Sequence, residues 1–139
     1  MVSIWLIPSL EDVHYLQASI NNLATTYQAP VFSPHCTLYS TTNLPSAELG
    51  KILERSIKNI KPFYVKKATI SQTENIWKTI FIELLTSSEL EQLQQAVISQ
   101  FPEGQSYEFL PHISLLYKEM SGKQKEDIIR NLQVKKFFK

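Results

Sequence analysis

The sequence predicts an α+β fold of two similar lobes, related by a pseudo-two-fold axis, with antiparallel sheets flanking a central groove and helices outside. A short motif occurs twice, as Pro34-His35-Cys36-Thr37-Leu38 and as Pro111-His112-Ile113-Ser114-Leu115. Strand-like and helix-like patterns alternate along the chain. A hairpin turning at residues 72–75 divides it into halves that each hold a strand, a helix, a motif strand and another helix.

The first half opens with a short apolar run, residues 2–8, that predicts a strand. Ser9 has the side chain to cap a following helix, and Glu11 and Asp12 lie in its first turn, where negative charge is favoured. Apolar residues then keep a helical period to about Tyr27. Gln28-Ala29-Pro30 is expected to end this helix, and the first motif strand follows.

The middle of the chain predicts a loop at residues 41–45 and then a second helix. Ser46 is expected to cap this helix and Pro62 to close it. Residues 63–71 and 76–85 alternate as strands, which is typical of a hairpin.

The second half repeats the pattern of helix, motif strand and helix. Ser87 or Ser88 is expected to cap a third helix, which the sequence Pro102-Glu103-Gly104 ends. After the second motif strand, Ser121 is expected to cap a fourth helix. Residues 134–138 have the pattern of a strand just beginning.

Each copy of the motif places a histidine beside a hydroxyl on one face of a strand. Side chains i and i+2 share a face, so His35 and Thr37 point together and Cys36 points away. His112 and Ser114 share a face in the same way. Proline makes up only about 5% of average usage, yet it precedes both motif histidines. This repetition favours a paired functional site over two unrelated, half-buried polar pairs.

Two facing imidazoles suit general acid–base catalysis, since an imidazole titrates near neutral pH. In hydrolysis of a phosphodiester, a neutral imidazole takes a proton from water and a protonated one gives a proton to the leaving oxygen. The hydroxyls of Thr37 and Ser114 can donate to the non-bridging phosphate oxygens. This chemistry needs no metal and predicts a bell-shaped pH dependence.

Two other kinds of site fit these residues less well. Zinc usually takes about three or four protein ligands, whereas no Asp or Glu stands within two residues of His35 or His112. A nucleophilic Thr37 or Ser114 lacks an obvious third group to orient the pair. The remaining histidine, His14, lies on the first helix outside the motif and is predicted to be a surface residue.

Composition is that of one soluble domain. The 139 residues carry a formal net charge of +1, so no strong overall field attracts nucleic acid or a membrane. The single cysteine, Cys36, excludes an internal disulfide and is predicted to be a small core residue. No apolar run approaches the roughly 18 residues of a membrane span, and the N-terminus lacks a secretory pattern. We therefore expect a cytoplasmic location.

At the two motifs the sequence resembles the two-histidine phosphoesterase superfamily, whose signature is a pair of His-x-Thr/Ser motifs. Within it, the likeness is to the cyclic phosphodiesterase family, which acts on ADP-ribose 1″,2″-cyclic phosphate and nucleoside 2′,3′-cyclic phosphates. The opening Ser3-Ile4-Trp5-Leu6-Ile7-Pro8 resembles that family's first strand, and the residues around His112 match its second motif up to Tyr117.

The resemblance implies a catalytic pair, His35 and His112, and two phosphate-binding hydroxyls, Thr37 and Ser114. It implies a cyclic phosphate as the small-molecule substrate, a ring-opened phosphomonoester as the product, and no cofactor or metal.

Two aromatic residues have a less direct place in the implied site. Tyr117 would contact phosphate or substrate, although strict strand alternation turns it away from His112 unless the strand twists or ends there. Trp5 would stack on a base or ribose, with a plain core position as its alternative.

Two other functions remain open. An RNA-end enzyme, either a 2′,3′-cyclic phosphodiesterase or a 2′-5′ RNA ligase, needs a basic groove for the strand. The near-neutral charge argues against it, although Lys66, Lys67 and Lys78 would form a local patch. A non-catalytic nucleotide-binding module is the other alternative.

The C-terminal end carries an expectation about assembly. The family's pattern continues with further strands after the fourth helix, whereas this sequence stops soon after Phe137-Phe138. A bare sheet edge of this kind is an association hazard. We expect a homodimer through that edge, or a reduced second lobe with a weakened site.

Overall fold

The computed structural model describes residues 2–41, 46–101, 104 and 107–139. The described residues form six strands and four helices. The strands are β1 (Val2–Leu6), β2 (Cys36–Thr41), β3 (Val65–Gln72), β4 (Ile80–Leu84), β5 (His112–Leu116) and β6 (Phe137–Phe138). The helices are α1 (Leu10–Tyr27), α2 (Ser46–Ile57), α3 (Ser88–Ile98) and α4 (Gly122–Asn131). The predicted α+β class is confirmed.

The strands form two antiparallel sheets, as expected. β1 and β2 make a two-stranded sheet, and the other sheet has the order β5-β4-β3-β6. The motif strand β2 packs against the motif strand β5 of the other sheet. The two sheets therefore meet where the two copies of the motif lie.

A matching irregularity interrupts both motif strands. In the first sheet Ile4 pairs with Tyr39 and the next residue, Trp5, pairs with Thr37, so the register skips Leu38. This is the geometry of a β-bulge, in which two residues of one strand oppose one residue of its partner.

The second sheet repeats the bulge at the equivalent residue. Ile80 pairs with Leu116 and Phe81 pairs with Ser114, so the register skips Leu115. Both bulges thus fall on the leucine that closes each motif. At a bulge, successive side chains no longer alternate between the two faces of the sheet. This explains why the consecutive residues Leu115 and Leu116 are both buried.

The helices interlock the two halves. α1 packs against β5, and α3 packs against β2, so each helix covers the motif strand of the other half. Gln94, a buried residue of α3, donates its amide to the backbone carbonyl of Leu38 at 3.3 Å, which satisfies a polar group at the bulge. One contiguous hydrophobic core includes residues of both halves. The two lobes therefore share a core instead of folding around separate ones.

Two of the predicted helix caps are confirmed. The hydroxyl of Ser87 accepts from the backbone N–H of Leu90 at 3.1 Å and starts α3. At α4 the side chains of Ser121 and Gln124 form a reciprocal capping box.

The predicted cap at Ser9 is wrong. Ser9 stands at the N-cap of α1, but its side chain makes no bond to the helix backbone. Its hydroxyl bonds instead to the carboxylate of Asp12, which also accepts from the Lys135 amine and, at 2.6 Å, from the backbone N–H of Lys139. A charged acceptor forms the stronger hydrogen bond, so the local cap is replaced.

Several strand boundaries differ from the prediction, since β1 ends at Leu6, β3 covers Val65–Gln72 and β6 covers only Phe137–Phe138. β2 begins at Cys36, and the residues before it are not in a strand, because Pro30 and Pro34 have no N–H for a ladder. β4 begins at Ile80, because a short 3-10 helix, Ile76–Lys78, precedes it. The side chain of Asn75 accepts from the N–H of Trp77 and starts that helix.

Some expectations fall outside the described residues, namely the loop at residues 42–45, the capping side chain of Ser46 and the helix end at Pro102-Glu103. No helix in the described part of the chain is long and apolar enough to cross a membrane.

Candidate active site

The two motifs come together where β2 packs against β5. β2 and β5 belong to different sheets and contact each other directly. The positive charge of His35 also lowers the pKa of His112. The structure therefore places both histidines at the junction of the sheets.

Both imidazoles are held in the same way. Nδ1 of His35 lies 2.7 Å from the carbonyl oxygen of Ser33, and Nδ1 of His112 lies 2.8 Å from the carbonyl oxygen of Leu110. A carbonyl only accepts, so Nδ1 carries the proton in each neutral ring. Nε2 is then the nitrogen with the lone pair that can take part in proton transfer.

The proline of each motif explains this repeated contact. Pro34 and Pro111 are buried and stand between each histidine and the residue whose carbonyl it meets. Proline fixes its own φ and keeps the preceding residue extended. The carbonyl two residues before the histidine is thus held at a defined position beside the ring.

Burial lowers the pKa of both histidines from 6.5. For His35 desolvation is the dominant cause, opposed by the bond to Ser33. For His112 desolvation is again the largest cause, and the bond to Leu110 opposes it. Cationic Lys78 lowers the pKa of His112 further. The site therefore disfavours two protonated imidazoles until an anion enters it.

Each motif hydroxyl pairs across its sheet with an aromatic residue that contacts the motif histidine. Thr37 pairs with Trp5, whose ring stacks on the His35 imidazole at 3.7 Å between centroids and 15° between planes. The other half of the site repeats this arrangement with different residues.

Phe81 is the counterpart of Trp5 in the second half. It pairs with Ser114, and its ring meets the His112 imidazole edge-on at 5.4 Å. Phe81 was not predicted as a site residue, because an apolar residue in a hairpin strand looks like ordinary core. Only the strand register reveals that it stands opposite a motif hydroxyl.

The bulge at Leu115 changes the expected direction of Tyr117. Strict alternation turns this side chain away from His112, but the skipped residue resets the faces, and β5 ends at Leu116. The ring of Tyr117 stacks on Phe32 at 4.0 Å and meets Trp77 edge-on at 5.6 Å.

Trp77 is a second aromatic residue that the sequence did not single out. Its side chain is 68% exposed, although it sits on the short 3-10 helix whose turn is fixed by Asn75. Its contact with Tyr117 places an exposed indole beside the second motif strand.

Two charged residues flank His112. The amine of Lys78 lies 4.6 Å from the centre of the Phe81 ring, and Glu83 pairs with His112 across the sheet. Glu83 raises the pKa of His112 and Lys78 lowers it. Their roles were hidden in the sequence because neither lies near His112 along the chain.

Within the described residues, no group of three or more His, Cys, Asp or Glu side chains is arranged to hold a metal ion. His14 is exposed, as expected, and Cys36 is buried, also as expected.

Comparison with known proteins identifies a family and a relative. The profile of the family described as "Cyclic phosphodiesterase-like protein" matches residues 1–136. A curated relative, "Cyclic phosphodiesterase" from Arabidopsis thaliana, is 23% identical over 125 residues. That alignment covers 90% of this chain and 69% of the relative.

Proposed function

The chain belongs to the family of cyclic phosphodiesterase-like proteins, and we propose that it hydrolyses cyclic phosphodiesters to phosphomonoesters with His35 and His112 as its acid–base pair. One observation carries this proposal. Each imidazole is oriented by a hydrogen bond from Nδ1 to the backbone carbonyl two residues before it, on motif strands that pack together. Such matched orientation leaves both Nε2 atoms for proton transfer.

The reaction opens the ring by adding one water molecule. The neutral imidazole accepts a proton at Nε2 as the water oxygen forms its bond to phosphorus. The protonated imidazole donates its Nε2 proton to the ester oxygen as the bond from phosphorus to that oxygen breaks. One imidazole gains the proton that the other loses, and exchange with solvent restores the starting state.

The hydroxyls of Thr37 and Ser114 hold the phosphate in this proposal. Each pairs across its sheet with the aromatic residue that contacts its histidine, and each donates to a non-bridging oxygen where negative charge accumulates in the transition state. The bound anion also raises the pKa of the nearby imidazoles. Substrate therefore provides the charge that keeps one of the two imidazoles protonated.

The remainder of a nucleotide-like substrate would lie on aromatic surface. Trp5 is 47% exposed beside His35, and Trp77 is 68% exposed beside Tyr117. Stacking of a base on an aromatic side chain contributes about 1–3 kcal/mol. We therefore assign nucleoside 2′,3′-cyclic phosphates and ADP-ribose 1″,2″-cyclic phosphate as the substrate class.

The lysines offer little support for an extended RNA strand. The amine of Lys67 donates to the carbonyl of Val134, and Lys66 lies over the ring of Phe137. Both therefore lie beside the C-terminal segment, whereas Lys78 lies over Phe81 near the site. A small cyclic phosphate fits this distribution better than a long RNA strand, which needs a continuous basic track.

The test is hydrolysis of a nucleoside 2′,3′-cyclic phosphate in EDTA. Changing His35→Gln or His112→Gln should lower kcat by about 100- to 10,000-fold, because each change removes one partner of the proton transfer. His14→Gln is the matched control, since His14 is exposed and lies on α1 outside the motifs. Full activity in either motif variant would contradict the assignment, as would a requirement for added metal.

Two further assays separate the alternatives. ADP-ribose 1″,2″-cyclic phosphate and an RNA with a 2′,3′-cyclic end, assayed alongside, would show whether the enzyme prefers the small substrate. Tight binding of the phosphomonoester without turnover by the unaltered protein would instead identify a nucleotide-binding module.

A further inference from the structure

A cavity lies behind the motif strands, on the side away from the histidines. Its volume is about 430 Å³, within the range of roughly 300–1,000 Å³ typical of small-molecule sites. Cys36 and Ile113 line it. Each stands between the histidine and the hydroxyl of its motif and points to the opposite face. The backs of the two catalytic strands therefore form part of the cavity wall.

The cavity is predominantly apolar. Its walls include Leu6, Ile60, Phe63, Leu93 and Phe138. Burial raises the pKa of the Cys36 thiol to about 11, so this group stays neutral at physiological pH. These walls and the neutral thiol offer a ligand apolar contact.

Part of the apolar surface at the rim of the cavity is exposed to water. Ile7 and Ile57 line the cavity and are 54% and 48% exposed. Exposed apolar surface that is contiguous with an apolar cavity is unfavourable in water, and burying it stabilises a complex. An occupant with an apolar body would remove this surface from solvent.

The charges at the cavity favour one class of occupant. Among its described lining residues the charged side chains are those of Lys61 and Lys139, both cations, and the Lys139 amine lies over the ring of Tyr64, which does not line the cavity. Lys61 is exposed and follows Ile60, so its amine can stay in water while the neighbouring side chain faces the apolar wall. Apolar walls with a cationic rim are complementary to an amphiphile that has a single anionic head.

We propose that this cavity binds a free fatty carboxylate, with the acyl chain against the apolar walls and the carboxylate at Lys61. The ligand would contact Cys36 and Ile113, each one residue from a histidine of the active site. Binding involves no covalent step, and the site is distinct from the one that holds the cyclic phosphate.

Titration calorimetry with hexanoate, octanoate, decanoate and decanol tests the apolar part. Burial of each CH₂ contributes about 0.8 kcal/mol, which is about fourfold in affinity. Affinity should therefore rise about fourfold per CH₂ from hexanoate to decanoate, and decanol should bind more weakly than decanoate. Equal affinity along the series, or binding of decanol as tight as that of decanoate, would overturn the proposal.

Methyl NMR of isoleucine-labelled protein locates the ligand. Decanoate should shift the methyl signals of Ile57, Ile60 and Ile113 and leave those of Ile20 and Ile128, which do not line the cavity, in place. Shifts that appear only at micellar concentrations of decanoate would overturn the proposal. So would shifts at these methyl groups that depend on protein concentration without ligand, because a second copy would then be the occupant.

Charge reversal tests the carboxylate contact. Lys61→Glu should weaken decanoate binding by at least about threefold, since an attraction becomes a repulsion at an exposed site. Lys58→Glu is the matched control, because Lys58 is an exposed lysine three residues earlier that does not line the cavity. Equal binding by the two variants would overturn the assignment of the head group. None of these measurements uses catalysis, so failure here leaves the proposed hydrolysis untouched.

Discussion

At the residue scale, the two histidines have the same backbone support and different neighbours. His35 and His112 each donate Nδ1–H to a carbonyl two residues earlier. The His35 ring stacks on the indole of Trp5, whereas the pKa of His112 also depends on the charges of Lys78 and Glu83. Proton affinity can therefore be altered at His112 through charged side chains that belong to the neighbouring strand and turn.

The lowered pKa values predict an acidic optimum for kcat/KM. The active free enzyme carries one proton on the pair, so activity falls at low pH as the base is protonated and at high pH as the acid is deprotonated. Because the pKa of each imidazole lies below its ordinary 6.5, the bell-shaped profile should be centred below that pH. Initial rates at low substrate concentration measure it, and a centre above neutrality would contradict the prediction.

Lys78→Met should move this profile to higher pH. The substitution removes a cation that lowers the pKa of His112 and keeps an unbranched chain to pack on Phe81. Without that cation the pKa of His112 rises, and the centre of the profile rises with it. Lys66→Met is the control, since Lys66 lies over Phe137 instead. An equal effect of both substitutions would mean that overall charge, and not position, sets the pKa.

At the scale of elements, the paired bulges decide which side chains reach the site. By skipping Leu38 and Leu115, the register lets each motif strand bury two consecutive residues after its hydroxyl. The residue after those two is returned to the histidine face, and in the second half it is Tyr117. The role of Tyr117 with phosphate or substrate stays a prediction, because its described ring contacts are with Phe32 and Trp77.

The start of α1 and the C-terminal segment are joined through one carboxylate. Asp12 is 4% exposed, and the bonds from Lys135 and Lys139 hold its pKa below 3.8 against the opposing effect of burial. Because the pKa of Asp12 is lower in the folded protein than in the unfolded chain, its ionised carboxylate stabilises the fold at pH values above about 3.8. This stabilisation is lost as the pH falls from about 3.8 through the folded pKa.

Asp12→Asn should lower the free energy of unfolding by about 1–3 kcal/mol, because it removes a charged acceptor from buried hydrogen bonds. Urea denaturation at neutral pH measures the change. Glu11→Gln, at the exposed neighbouring position of the same turn, should change it by less than about 0.5 kcal/mol. Similar effects of the two substitutions would show that helix charge, and not the contact with the C-terminal segment, is responsible.

At the scale of the whole molecule, β6 presents a sheet edge. In the described part of the chain it is the last strand of β5-β4-β3-β6, and Phe137 is 52% exposed. Exposed edges pair with strands of other chains. We therefore propose that two copies associate through β6.

Sedimentation velocity over a range of concentrations tests this association. The protein should shift from monomer to dimer as concentration rises, and Phe137→Lys should remain monomeric because a charge at the edge opposes pairing. Leu10→Lys, which changes a residue 73% exposed on α1, should behave like the unaltered protein. A monomer at every concentration would contradict the proposal.

Features that depend on neighbours along the chain were predictable from the amino-acid sequence. The doubled motif predicted His35 with Thr37 and His112 with Ser114 on shared faces, because strand alternation is local. The caps at Ser87 and Ser121 were likewise predictable, since a cap bonds within its own turn.

Which residues of distant segments stand beside the motifs depends on the folded arrangement of the strands. Phe81 and Glu83 join the second motif through strand register, and the bulges at Leu38 and Leu115 depend on pairing with strands elsewhere in the chain. The cap expected at Ser9 failed for a similar reason, since Asp12 meets Lys135 and Lys139 from the far end of the chain. Register and packing are settled by the whole set of contacts, so no local pattern specifies them.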